Sequence, residues 1–283
     1  MKRFFAIVFI YVLVVFLLLL PGELYKMYFM EDFESIAGYE IRVAEKNSKT
    51  KTSKKVKKLI LGDSTGHALY PTENEYNNAV SLACNQAITM AGQYFLLKNY
   101  IETNINNLPK EVILLCTPFT LSNDVDIYAY QYFLKSFPIK EYKFLYSDYL
   151  YERIRSIPFY WTANLPFIQT SNYTPRVSIP QQQDIQNISN VSIEYLLLID
   201  SLTTTYNIPF VMYPTPVRED KQEEIQAMQN DFIQTGEDNL NHIMLPYFDK
   251  IIFYPSDCFY DRVHLYNDFI PVDYLNIMND SIE

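Results

Sequence analysis

Glycine is scarce in this chain, six in 283 residues, and cysteine scarcer, three. The chain has no Gly-x-Gly-x-x-Gly and no P-loop, which argues against a phosphate-cradling loop and the nucleotide it would hold. Cys84, Cys116 and Cys258 are too few and too scattered for a disulfide framework, and no cysteine or histidine pair has zinc-ligand spacing. Neither a metal nor a cofactor is therefore expected. Basic side chains are also short in the body of the chain, where residues 59–283 carry 12 against 27 acidic ones, a net charge near −15. Such a surface repels the phosphates whose neutralisation drives nucleic-acid binding, which excludes that class of partner.

Long apolar runs are absent but for one. Phe4 to Leu20 is unbroken, 17 residues, or roughly 25 Å as a helix, near the lower limit for crossing a bilayer. No small-x-small cleavage signature follows it, so the run is read as an uncleaved signal anchor rather than a removed signal peptide. Lys2 and Arg3 precede the run and only Lys26 follows closely, which puts the N-terminus in the cytoplasm and the rest outside. Residues 1–22 are thus expected to be cytoplasmic tip and anchor. Residues 23–55 are read as a polar linker ending in a lysine-rich run, with seven lysines between Lys46 and Lys58.

From residue 56 to 283 the pattern is that of one α/β domain. Short β-rich runs at 56–61, 79–83, 111–116, 208–213 and 250–254 alternate with helix-like segments at 88–107, 192–207 and 218–234. Near-continuous apolar strands are what a parallel sheet buried on both faces demands, so the expected fold is a three-layer α/β/α sandwich on a five-stranded parallel sheet. An aromatic insertion at about 120–190 is expected to pack as a satellite core over the sheet edge. In such a fold ligands bind beyond the carboxyl ends of the strands, where Ser64, Asn85, Thr117 and Pro214 fall.

The candidate chemistry lies in "LILGDSTGH". Gly62 allows a tight turn, Asp63 caps the next helix, and Ser64 enters that helix at its amino end, where backbone N–H groups favour developing negative charge. A nucleophilic serine needs a base, and three histidines are available. His67 lies one turn past Ser64 and reads as a surface or capping group, while His242 has no evident partner and reads as structural. His264 follows Asp261 by three residues in "CFYDRVHLYNDF", a spacing that lets the carboxylate fix the tautomer a general base needs.

A strand-end Gly-Asp-Ser near the front of the domain and "DRVHL" near its back resemble the SGNH hydrolase superfamily of GDSL-like esterases and acyltransferases. The resemblance spans most of residues 56–275, on motifs covering fewer than twenty positions. It implies a flavodoxin-like 2-1-3-4-5 strand order, Ser64 as nucleophile, and Asp261 and His264 as the rest of the triad. The chain departs from the family at Thr65, where leucine is usual, at Asn85 or Gln86, where a glycine is expected, and at "CTPF", which replaces the third block so that Pro118 stands for its asparagine. Oxyanion or substrate contacts then fall to Asn85 and Thr117 beside the Ser64 N–H. The single anchor and the helix after the second strand are similar to the membrane-anchored SGNH-like partners of membrane-bound O-acyltransferases. This implies acylated glycans or an acyl donor as substrate and a multi-spanning acyltransferase as partner. Three readings stay open: an esterase giving the acyl group to water, a transferase giving it to a glycan hydroxyl, and a non-catalytic scaffold.

Overall fold

The structure, a computed structural model, describes residues 1–29, 39–125, 130–164, 187–235, 238–271 and 274. The first helix, α1 (Lys2–Phe29), exposes its large apolar side chains from Phe4 to Leu18. That described stretch is about 22 Å at 1.5 Å per residue and stops short of the full Phe4–Leu20 run. Among the described residues no helix is long and apolar enough to cross a membrane.

The chain resumes in α2 (Tyr39–Ser48), inside the stretch that composition reads as linker. Ile41 and Ala44 are buried on one face of it, against the helix that follows the second strand, so the fold begins earlier than residue 56. The lysines that disguise it, Lys46 and Lys49, lie at its carboxyl end and beyond, where positive charge complements the helix dipole.

Strands and helices then alternate: β1 (Lys58–Gly62), α3 (Ser64–Leu69), β2 (Ala79–Ser81), α4 (Thr89–Thr103) and β3 (Glu111–Cys116). Short helices α5 (Pro118–Leu121), α6 (Tyr130–Ser136), α7 (Ile139–Tyr142) and α8 (Asp148–Arg155) lead to α9 (Asn190–Thr205) and β4 (Phe210–Pro214). The chain ends through β5 (Val217–Arg218), α10 (Gln222–Thr235), α11 (Asn241–Asp249) and β6 (Phe253–Tyr254). The main sheet is parallel with the order β2-β1-β3-β4. This is the expected 2-1-3-4 order without its fifth member.

The expected fifth strand, 250–254, is a correction. Lys250 caps α11, and only Phe253 and Tyr254 are extended, paired with β5 in a separate two-stranded parallel sheet. The cause lies in β4. Thr215 donates to Cys116 O on β3, so by alternation the N–H positions of residues 214 and 216 face the opposite, outer edge. Both are proline and have no N–H to offer, so a fifth strand finds no continuous ladder there.

The two faces of the sheet are unequally covered. Leu59, Leu61, Val112, Leu114 and Cys116 face a large core shared with α2, α4, α6, α9 and α11. Their alternate neighbours Ile60, Ile113 and Leu115 meet a small cluster with Ala83 and Tyr70, flanked by Leu69 of α3. The expected third layer is thin among the described residues. The aromatic insertion joins the large core rather than standing apart. Phe95 of α4 is fully buried within 5.3–5.9 Å of the rings of Phe133, Phe137, Tyr142, Tyr146 and Tyr195, with the Tyr142 ring stacked on it. The polar end of the insertion, 165–186, lies outside the described residues.

Cys84 follows β2 and Cys116 ends β3, the two strands that flank β1, and all three cysteines are free, in keeping with a strand order that holds these two too far apart to bond. Because Phe95 is the ring on which the insertion converges, Phe95→Ala should cost about 3–5 kcal/mol in urea unfolding. A loss below about 1 kcal/mol would show that the insertion packs independently of α4.

Candidate active site

At the end of β1 the backbone is pressed against β3. A Cβ on Gly62 would lie 2.5 Å from Leu115 O, and one on Gly66 2.6 Å from the same atom, so both positions require glycine. Gln93 of α4 clamps Gly62 from the other side, donating to its carbonyl at 2.7 Å and accepting from its N–H at 3.2 Å. The β1 end is thereby fixed before the helix starts.

Asp63 then caps α3, and it is 1% exposed. Its Oδ1 accepts from Thr65 N (2.8 Å), Gly66 N (3.1 Å) and Thr65 Oγ1 (2.5 Å). Its Oδ2 accepts from Thr117 N (2.9 Å) and Thr120 Oγ1 (2.5 Å) after β3. Thr65 Oγ1 also lies 2.7 Å from Thr215 Oγ1 after β4. Thr65 has one hydroxyl proton and gives it to the carboxylate, so Thr215 is the donor in that contact. One buried carboxyl thus joins the ends of β1, β3 and β4.

Ser64 follows, half-buried, and its hydroxyl makes no hydrogen bond among the described residues. The amino-terminal amides of α3 are not all free, because Asp63 caps the helix as expected. Those of Thr65 and Gly66 belong to Asp63, which leaves the Ser64 N–H as the available donor. Asn85 arrives beside it because the β1–β2 ladder continues past β2, with Leu82 N donating to Ile60 O and Cys84 N to Gly62 O. Asn85 Oδ1 accepts from Ala87 N at 2.9 Å, which leaves its amide N–H groups without a partner among the described residues. Thr117 is differently placed. Its N–H is taken by Asp63, and its side chain is buried with the hydroxyl unpartnered, so the structure does not free it for an oxyanion or substrate.

The other half of the candidate triad sits on a short hairpin closed by the antiparallel bridge Phe259–Leu265 and by Tyr260 N donating to His264 O at 3.0 Å. Within the turn Asp261 Oδ1 accepts from Val263 N (2.8 Å) and His264 N (2.7 Å), and Oδ2 lies 2.8 Å from His264 Nδ1. A carboxylate can only accept, so Nδ1 carries a proton, and in the neutral imidazole that assigns the lone pair to Nε2. Partial burial works to raise the Asp261 pKa, but the two backbone N–H groups and the imidazole outweigh it and hold the carboxyl below its ordinary value. Tyr260 stacks on the imidazole at 5.6 Å with 14° between planes, and Arg262 lies over the Phe119 ring of α5 at 5.3 Å.

His264 shares a cavity of about 30 Å³ with Thr65, Ala68 and Leu69 of α3 and with Thr215 and Pro216. Ser64 does not line this cavity but lies one helical turn from Ala68, so the base candidate sits beside the short helix that the nucleophile candidate begins. Among the described residues no hydrogen bond joins Ser64 to His264. Tyr274 pins the chain after the hairpin back onto the sheet: its hydroxyl donates to Pro214 O at 2.8 Å and its carbonyl accepts from Tyr70 OH. The other histidines pair elsewhere, His67 with Glu73 at 2.9 Å and His242 with Asp200 at 3.2 Å.

Sequence reasoning missed Gln93, Thr120, Thr215 and Tyr274. A glutamine inside the apolar run "ITMAGQYFLL" and a threonine between two prolines were the available signals. Among the described residues no group of three or more His, Cys, Asp or Glu side chains is placed to hold a metal. Comparison with protein-family models, with curated proteins and with solved structures finds no match for this chain.

Asp63→Asn sets an amide against the Thr117 N–H and should cost about 2–3 kcal/mol in urea unfolding, the penalty of a buried donor left unmet. An unchanged midpoint would remove Asp63 as the hub. At Asp261 the folded-state pKa is depressed, so the turn's stabilisation is complete above the unfolded value and is lost as pH falls through the folded one. The Val263 amide shift should accordingly titrate with a midpoint below 3.8, and a midpoint above it would mean that the turn bonds do not hold in solution.

Proposed function

We propose that this chain is a membrane-anchored SGNH-type serine esterase or O-acyltransferase acting on acyl esters, acetyl above all, of cell-envelope glycans. The observation that carries the reading is the Asp261–His264 pair, with Nε2 left basic, on a hairpin beside the helix that starts at Ser64. Ser64 Oγ attacks the ester carbonyl as its proton passes to His264 Nε2. The tetrahedral intermediate collapses, and the leaving alcohol takes that proton. The acyl-serine is then attacked by water or by a glycan hydroxyl, whose proton returns through His264 to Ser64. The oxyanion is met by the Ser64 N–H and the Asn85 amide, the donors with no other partner nearby.

The membrane placement rests on the Phe4–Leu20 run and on Lys2 and Arg3 before it, with the domain extracytoplasmic and a multi-spanning acyltransferase as partner. A second reading, a non-catalytic partner in glycan modification, is favoured by one observation: Ser64 and His264 are not hydrogen-bonded. Catalytic hydrogen bonds often tighten only with substrate in place, so the first reading is preferred.

With the full chain in detergent, Ser64→Ala and His264→Ala should each abolish release of acetate from an activated acetyl ester while leaving the chain folded, with a cooperative unfolding transition retained. Asp261→Asn should lower turnover by up to about 10⁴-fold. Release that quickens on adding a glycan acceptor marks a transferase. Wild-type protein that neither turns over the ester nor is labelled at Ser64 by a serine-directed phosphonate leaves the scaffold.

A further inference from the structure

Apart from α1, exposed large aromatics gather in two places, on the hairpin of His264 and in the insertion, where Phe144, Phe159 and Trp161 are 96%, 70% and 54% exposed. The segment Ile157–Ala163 is built to hold two of them outward. Ile157 and Ala163 are buried, and Tyr160 packs on the core between them. Phe159 adopts φ 60°, a left-handed backbone that a bulky residue rarely accepts.

The position of this tip in the fold decides what faces it. It opens the 3-10 turn Tyr160–Asn164, which packs on α6. In turn α6 packs on the turn Gln86–Ile88 next to Asn85 and on α2. The start of α2 lies toward the same rim: α2 packs along α4, its last residue Ser48 accepts from Asn99 and the next turn reaches Asn104 at the far end of α4, so its first residues lie toward the start of α4, just after β2. Nine residues, 30–38, separate α2 from α1, a gap of ten Cα steps that spans at most about 36 Å. The rim that carries Ser64 is therefore the end of the domain at which the chain enters from α1.

Charge agrees with this. Residues 130–164 hold five basic and three acidic side chains, whereas 187–271 hold four basic and thirteen acidic. The insertion is thus the part of the acidic domain that an anionic lipid surface repels least. Exposed tryptophan and phenylalanine beside arginine is the composition that settles at the boundary between headgroups and acyl chains.

We propose that the Phe159–Trp161 tip seats in the interfacial layer of the bilayer that holds α1, turning the Ser64 rim toward the lipid. This rests on the anchor reading of α1. The lysine-rich segment after α2 lies at the opposite end, where Thr52 and Lys54 bond to Asn104 and Asn107 beyond α4, so docking through it would lift the tip away from the membrane.

Trp161 is the one tryptophan in the chain, so its emission reports the tip directly. The full-length protein is reconstituted into phosphatidylcholine–phosphatidylglycerol vesicles, with and without bromine on the phosphatidylcholine acyl chains. A tip in the interface should lose emission by about twofold in the brominated vesicles, since bromine quenches only an indole that reaches the acyl boundary. Protein that floats with the vesicles but keeps its full emission overturns the proposal and leaves the anchor reading standing; in that case the tip is free for a protein partner or the domain docks through its lysines. Protein that does not float overturns both.

Discussion

Asp63 is the constraint on which the rest of the site depends. A carboxylate taken out of water is costly unless donors replace the water, and here five do, with no cationic side chain among them. Those donors come from α3, from the segment after β3 and, through Thr65, from Thr215 after β4. Beyond the backbone ladder and the apolar cores, the strand ends are thus tied by side-chain hydrogen bonds that radiate from one residue. That is why Thr65 suits a position where the resemblance leads one to expect leucine: its methyl is buried, and its hydroxyl carries the link to β4.

The same arrangement sets what Ser64 has at hand. By taking the Thr65 and Gly66 amides, Asp63 fixes the first turn of a helix only six residues long, which would not persist by propensity alone. It also removes two of the donors that an unoccupied helix end would have turned toward an anion. The electrostatic support for chemistry at Ser64 is therefore narrow and rests on Ser64's own N–H and on Asn85. The two arms of the site also differ in rigidity. The nucleophile arm is built on a buried strand and clamped by Gln93, whereas the base arm is a hairpin whose Asp261 side chain is 44% exposed. Any approach of His264 to Ser64 falls to the hairpin, since α3 cannot move without breaking the Asp63 bonds.

Much of this was legible in sequence because it follows from local chemistry. The four strands announce themselves as apolar runs, and the Gly-Asp-Ser turn and the Asp-x-x-His spacing fold as their residue types dictate. What was not legible depends on partners distant in sequence. Whether "KIIFY" joins the sheet is decided by prolines 214 and 216, some forty residues earlier, because they remove the donors on the edge it would use. Thr117 sits at the right strand end, yet its amide is claimed by a carboxylate 54 residues away. The helix α2 was hidden by the lysine run that begins at its end, since a run of charge reads as solvated until the buried Ile41 and Ala44 before it are seen.

Chain direction links the site to the tether. In a parallel sheet all strands deliver their carboxyl ends to one rim, so the groups that could do chemistry are confined to one end of the domain. The helix α2 runs alongside α4 in the same sense, its last residue, Ser48, near Asn99 in the second half of α4 and its start therefore toward the rim from which α4 sets out. A chain entering from α1 must therefore arrive at the end where Ser64 lies. Had α2 packed in the reverse sense, the same α1 would have held the site a full strand length farther from its tether, so the orientation of one ten-residue helix decides which end of the domain the tether approaches.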